Sequence, residues 1–252
     1  MPARRLLITL EYDGTDFFGW QLQAEGPTVQ AAVEEAVRRV TQEAVRVTGA
    51  SRTDSGVHAE GQAAHYDTAS LLSAERFVPA LNFYLPPAVS VLSCRQVDAA
   101  FHARFSAAGK LYRYRILRSR PRRPLRERFV LREWRTLDEP SMRRCAALLL
   151  GEHDFASFAS EHAEDEDAVR TVTHSELIGS GDEMHYMIAA NGFLYTMVRA
   201  IVGTLLEVGR GNMTEAEFAR VLAARRRATA GPTAPARGLA LVRVDYPEDP
   251  RT

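Results

Sequence analysis

The segment Gly49-Ala50-Ser51-Arg52-Thr53-Asp54-Ser55-Gly56-Val57-His58-Ala59 concentrates the groups in this chain that can do chemistry. Eleven residues carry a carboxylate, a guanidinium, an imidazole and three hydroxyls. Arg52 and Asp54 are two apart, so in extended backbone they point to the same side. There the guanidinium can hold a phosphate while the carboxylate acts as nucleophile or base. The same residue types also build ordinary structure. An Asp among Gly, Ser and Thr commonly forms a turn, and a histidine such as His58 commonly hydrogen-bonds within the fold. Asp54, His58 and His65 carry metal-ligating groups, but their spacing matches no established metal pattern. Arg199 stands out separately. It is the only basic residue in the apolar run Phe193 to Val208, where a guanidinium needs a partner. Tyr112 lies in an alternating segment, where a tyrosine usually packs half-buried.

The elements that must position these groups follow from periodicity. Leu6 to Tyr12 reads as a strand, and Gly26-Pro27-Thr28 starts a helix. Val29, Ala32, Val33, Ala36, Val37 and Val40 fall on one face of it. Ala44 to Thr48 reads as a short strand, Gly49 to Gly61 as a loop and Gln62 to Tyr66 as a returning strand. Ser73 caps a second helix to about Asn82, and Val89 to Val97 is a strand. The order is β-α-β-β-α-β, the ferredoxin-like unit. The second half repeats it: a strand at 111–117, a helix at 138–150, a hairpin of 169–178 and 184–190, helices at 193–208 and 214–225, and a strand at 239–246. The expectation is an α/β (α+β) chain of two such RRM-like halves, 1–105 with the polar loop and 106–252 with a basic surface. Both halves carry mainly antiparallel sheets, and a cleft between them would hold a site.

Composition narrows the partners. The formal net charge is zero, yet Arg104 to Arg144 holds fourteen basic residues against four acids. Arg225-Arg226-Arg227 adds a second knot, while acid gathers between Glu161 and Asp167. Such segregation suits phosphate binding on one face. Lys110 is the only lysine, so a general preference for arginine also feeds the stretch. Cys94 and Cys145 are the only cysteines, and no CxxC pair exists. No apolar run approaches a membrane span, and the reading is of a reduced, cytoplasmic protein.

The polar segment resembles GAGRTDAGVHA, the signature of the TruA family of tRNA pseudouridine synthases. Other segments resemble that family's motifs in family order over nearly the whole chain. They are Tyr12-Asp13-Gly14-Thr15-Asp16-Phe17-Phe18-Gly19-Trp20-Gln21; Phe101 to Ala107 with Lys110, Tyr112 and Tyr114; Gly151-Glu152-His153-Asp154-Phe155; Ala190 to Tyr195 with Arg199; and Ala230 to Pro235 with Gly238-Leu239. The resemblance implies that Asp54 is the catalytic aspartate and that Tyr112 stacks on the target base. It implies that Arg199 pairs with the carboxylate, that Arg52 helps displace the nucleotide and that Leu239 is an apolar wall. It further implies a homodimer acting on tRNA at positions 38 to 40 of the anticodon arm, without cofactor or metal. Ser51 and Ser55 depart from the family's Gly and Ala. Ser51 would restrict the loop if that position needs φ > 0.

Pseudouridine formation breaks the uracil N1–C1′ bond, turns the base and joins C5 to C1′, so nothing is oxidised or added. A carboxylate assists as nucleophile at C1′ or C6, or as base at C2′. Each route needs an ionised Asp54 in a dry pocket, where burial raises its pKa and a guanidinium, for which Arg199 is the candidate, lowers it. Arg113, Arg115, Arg118, Arg120, Arg122 and Arg123 are expected to hold phosphates, contacts that position RNA. Two other classes fit parts of the pattern. An RNA-binding module has no use for Asp54 or a lone Arg199. A glycosidase needs a second carboxylate poised as acid, for which no clear candidate exists.

Overall fold

The computed structural model describes residues 3–160 and 167–247. The acidic run at 161–167 lies outside the described residues except for Asp167. The chain divides into two compact units, Met1–Ala108 with Ala240–Thr252, and Gly109–Leu239.

In the first unit β1 (Arg4–Tyr12) is followed by α1 (Val29–Thr41), β2 (Thr48–Gly49), β3 (His58–Thr68), α2 (Ala74–Tyr84) and β4 (Val89–Val97). The sheet runs β4-β1-β3, with β2 added on β3, and these pairings are all antiparallel. Leu6, Ile8, Leu10 and Tyr12 alternate into the core from β1. Thr28 caps α1, its hydroxyl accepting the Ala31 N–H at 3.3 Å, as the sequence reading expects. Val29, Val33 and Val37 on its inner face are fully buried. Each contributes about 1.5–3 kcal/mol of apolar burial. Strand β3 starts at His58, inside the segment expected to be loop. The correction has a plain cause: pairing with β1 continues to Tyr12↔Ala59, and that ladder keeps the chain extended four residues earlier than the apolar pattern suggests.

The second unit opens with β5 (Gly109–Arg118), then β6 (Leu131–Glu133), α3 (Glu139–Ala147), β7 (Gly151–Asp154), β8 (Val169–Ser180), β9 (Glu183–Ala190), α4 (Met197–Gly209) and α5 (Glu215–Ala224). Its sheet runs β5-β9-β8-β7 in antiparallel order, with β6 parallel to β5. The apolar run that predicts a helix from Phe193 begins its helix only at Met197. Thr196 is left-handed, with φ 62°, and that turn separates residues 193–195 from α4. Capping bonds mark α3 and α5: Asp138 accepts the Ser141 N–H at 3.1 Å, and Thr214 with Glu217 forms a capping box. Ser73 stands at the N-cap of α2 as expected but makes no side-chain capping bond.

The last strand, β10 (Leu239–Asp245), runs parallel to β3 through Ala240↔His58 and Leu241↔Ala59. Most of it belongs with the first unit. The expected fold class, mixed α/β with mainly antiparallel sheets, is the one found. Among the described residues no helix is long and apolar enough to cross a membrane.

Candidate active site

The loop from Ala50 to Val57 joins β2 to β3 and is fastened along its length. The Ala50 N–H donates to the Ala63 carbonyl at 2.7 Å. Gln62, fully buried in β3, grips Ser51 twice: its Nε2 donates to the Ser51 carbonyl at 2.7 Å, and its Oε1 accepts the Ser51 N–H at 3.2 Å. The Tyr12 hydroxyl lies 2.8 Å from Thr53 Oγ1, both groups buried. The Trp20 N–H donates to the Thr53 carbonyl at 3.1 Å. Beyond Asp54, the Val57 N–H closes a turn on the Asp54 carbonyl at 3.1 Å, and the Gly56 N–H reaches Phe17 at 3.2 Å. Gly56 supplies the left-handed corner, with φ +76°. Gly19 lets the 17–20 segment press against the loop, since a Cβ there would sit 2.5 Å from the Thr53 carbonyl oxygen.

The backbone of Asp54 is therefore held from both sides, and the residue is half-buried. Arg52 is exposed, Thr53 buried and Asp54 between the two, the burial pattern expected where backbone is extended. The two histidines serve the frame. His58 Nδ1 accepts the Gly14 N–H at 3.0 Å. Asp13 Oδ1 lies 3.2 Å from the same nitrogen, which would call for a proton there. An amide N–H can only donate, so the lone pair faces Gly14, and Asp13 is held instead by the Thr15 N–H at 2.9 Å. His65 Nδ1 accepts the Ala103 N–H at 3.1 Å. Burial, with the charges of Arg5 and His102, brings His65 down to about 4, so it is neutral at physiological pH. Among the described residues no group of three or more His, Cys, Asp or Glu is arranged to hold a metal.

The remaining expected site residues lie in the second unit and share a frame. Tyr112 on β5 is buried and meets Phe193 edge to face, with centroids 5.0 Å apart at 80°. Two residues on, the Tyr114 hydroxyl donates to the Pro235 carbonyl at 2.7 Å. Burial pushes the Tyr114 phenol up, against the opposing charges of Arg199 and Arg237. Arg199, in the first turn of α4, donates from Nε to the Ala234 carbonyl at 2.8 Å. The Ala234 N–H returns to the Arg199 carbonyl at 3.0 Å. Segment 234–239 is thus tied to both β5 and α4, and it ends on the buried Leu239. Arg52 and Asp54 belong to the first unit; Tyr112, Arg199 and Leu239 belong to the second.

The structure also sorts the arginines expected to meet phosphate. Arg115 forks onto Glu183 at 2.9 and 2.9 Å, Arg118 pairs with Glu139 and Arg122 reaches Glu127 at 3.1 Å. Arg120 and Arg123 are exposed. Gln62 was missed from sequence, since a glutamine in an alternating strand reads as a solvated position. Tyr12 and Trp20 lie in the 12–21 motif, but nothing in their spacing shows that they hold the Asp54 loop.

A fold of mainly antiparallel sheets that suspends a pinned carboxylate loop between two strands defines a class of enzyme scaffold. Comparison with known proteins narrows it. The family model described as tRNA pseudouridine synthase matches residues 8–106 and 145–247. The chain is 46% identical over 237 residues to tRNA pseudouridine synthase A of Halalkalibacterium halodurans, covering 94% of this chain and 90% of that protein. It is 46% identical over 243 residues to the protein of that name from Brevibacillus brevis, covering 96% and 100%. With the Neisseria meningitidis serogroup C protein of that name it shares 44% identity over 247 residues, covering 97% and 93%. The chain belongs to the tRNA pseudouridine synthase family.

Proposed function

We propose that this protein isomerises uridine to pseudouridine in the anticodon arm of tRNA, at positions 38, 39 and 40, with Asp54 as the catalytic carboxylate. The observation that carries the reading is the Asp54 loop. Buried hydrogen bonds from Gln62 and Tyr12 and a backbone bond from Trp20 hold residues 51–53, while Asp54 as a residue is only half-buried. A group held this way needs little reorganisation when substrate arrives. Membership in the family supplies the reaction class.

In this reading the target uridine leaves its stack, at a cost of a few kcal/mol, and Tyr112 offers an aromatic face for the base. Arg52, exposed beside Asp54, helps displace the target nucleotide. Arg199 pairs with the carboxylate and keeps it ionised, and Leu239 forms an apolar wall that excludes water. Asp54 attacks C1′ or C6 of the uridine, or removes a proton at C2′; the glycosidic bond breaks, the base turns and C5 joins C1′. The C5 proton is lost in the last step. The protein works as a homodimer in the cytoplasm, where its tRNA substrate is found.

The test is direct. Unmodified tRNA transcript incubated with wild-type protein should gain pseudouridine in the anticodon arm, mapped base by base. Asp54→Asn and Asp54→Ala should bind the transcript and modify nothing. Modification by either variant at the wild-type rate would refute the role of Asp54.

A further inference from the structure

The arginine-rich loop between β5 and β6 is organised around one side chain that does not face outward. Its nine residues from Arg120 to Arg128 hold five arginines. Arg120, Arg122, Arg123 and Arg128 are exposed, and Arg126 is half-buried. Two successive turns meet at Arg126: its N–H donates to the Arg123 carbonyl at 2.9 Å, and its carbonyl accepts the Phe129 N–H at 2.9 Å. Its guanidinium turns back to the start of β9. There it forks onto the Asp182 carboxylate at 2.8 and 2.9 Å and donates to Glu183 as well. Glu183 is buried and also receives Arg115 at 2.9 and 2.9 Å and His185 at 2.9 Å. The Asp182 carbonyl takes the Arg118 N–H at 2.8 Å. Burial raises the Glu183 carboxyl, but hydrogen bonds from Arg115, Arg126 and His185 outweigh it and hold it down at about 2. Glu183 is therefore charged throughout the neutral range.

A guanidinium that forks onto one carboxylate and reaches a second is not spare for phosphate. Without it, a loop of mutually repelling arginines would have to be ordered when RNA binds. That ordering costs side-chain conformational entropy for each arginine immobilised. We propose that Asp182 and Glu183 are positioning residues for RNA binding, which act through Arg126 to hold the loop in the shape that presents its exposed arginines to backbone phosphates. The proposal rests on the reading that this protein works on tRNA.

The sign of the effect separates this from simple electrostatics. Removing an acid beside a basic loop strengthens attraction to RNA if charge alone matters. Positioning predicts the opposite. Asp182→Asn, Glu183→Gln and the double variant should be titrated with unmodified tRNA transcript in a filter-binding assay across a salt series. The double variant should bind about fivefold more weakly, and its salt dependence should be shallower by one to two phosphates. The kcat at saturating tRNA should stay within about twofold of wild type, since positioning of the loop changes binding and not the chemical step. Arg126→Lys keeps the charge and breaks the fork, so it should weaken binding as Asp182→Asn does. Unchanged or tighter binding in these variants, or a kcat that falls in step with affinity, overturns the proposal. If Glu183→Gln does not fold, Asp182→Asn and Arg126→Lys at the surface carry the test. A wild-type protein that binds tRNA but makes no pseudouridine counts against the functional reading alone; the binding series still decides the positioning role.

Discussion

Gln62→Leu tests whether the loop's anchoring matters to its chemistry. Leucine keeps much of the volume in β3 but removes both bonds to Ser51. Ser51 is itself buried, so its N–H and carbonyl would lose their partners away from water. An unsatisfied buried group costs about 1–3 kcal/mol, so two set a ceiling of roughly 6 kcal/mol. The loop can lower that cost by lifting away to hydrate both groups, which leaves an expected loss of about 2–3 kcal/mol. The lifting is what damages catalysis, because Asp54 lies three residues from the lost anchor. A displacement of about 1 Å at a reacting group costs on the order of a hundredfold in rate. Urea unfolding measures the first quantity. Release of tritium from tRNA carrying 5-tritiated uridine, under single turnover, measures the second. The affinity for tRNA should fall far less than the rate, since Gln62 itself is buried. Wild-type single-turnover rates in Gln62→Leu, at a temperature where the variant is folded, would show that the anchor is dispensable and that Asp54 is placed by something else.

Tyr112→Phe retains the ring and its contact with Phe193, so tritium release should stay within about threefold of wild type if stacking is the whole role; a loss of a hundredfold or more would put the hydroxyl in the chemistry. Acid sensitivity gives a separate check on the second unit. Glu133 is buried and accepts hydrogen bonds from Arg135 at 2.9 and 3.0 Å and from Arg210 at 3.0 Å. Burial raises its carboxyl, but these bonds outweigh it and lower it from 4.5 to about 2. A carboxyl that ionises more readily folded than unfolded stabilises the fold fully above about pH 4.5 and loses that contribution as pH falls towards 2, here about 3 kcal/mol. Urea midpoints measured from pH 6 down to pH 2.5 should fall more gently in Glu133→Gln than in wild type, and parallel curves would sink this assignment.

The elements that position the site were legible where a local signal marks them. Thr28, Asp138 and Thr214 announce their helices because a cap acts within three residues of itself. Strand β4 shows its full extent, since Val89 and Val91 alternate inward after the Pro86-Pro87 stop. Two short strands, β6 and β7, carry too few residues for a period to show. Helix α4 was placed four residues early because Leu194 is as buried as the helix that follows it, and an apolar pattern does not register the left-handed turn at Thr196. The active-site loop shows the same limit more sharply. Its residues declare themselves by type, but what holds them does not, because Gln62 to Ser51 and Tyr12 to Thr53 are contacts between segments eleven and 41 residues apart. Ser51 makes the point from the other direction. From the sequence, a serine in place of the family's glycine threatened the loop; in the structure the left-handed corner falls at Gly56 and not at Ser51. What Gln62 grips at position 51 is the backbone amide and carbonyl, and a serine provides those as well as a glycine does. The departure therefore leaves the Gln62 clasp intact, and Ser51→Gly should cost far less of the rate of pseudouridine formation than loss of the Gln62 side chain.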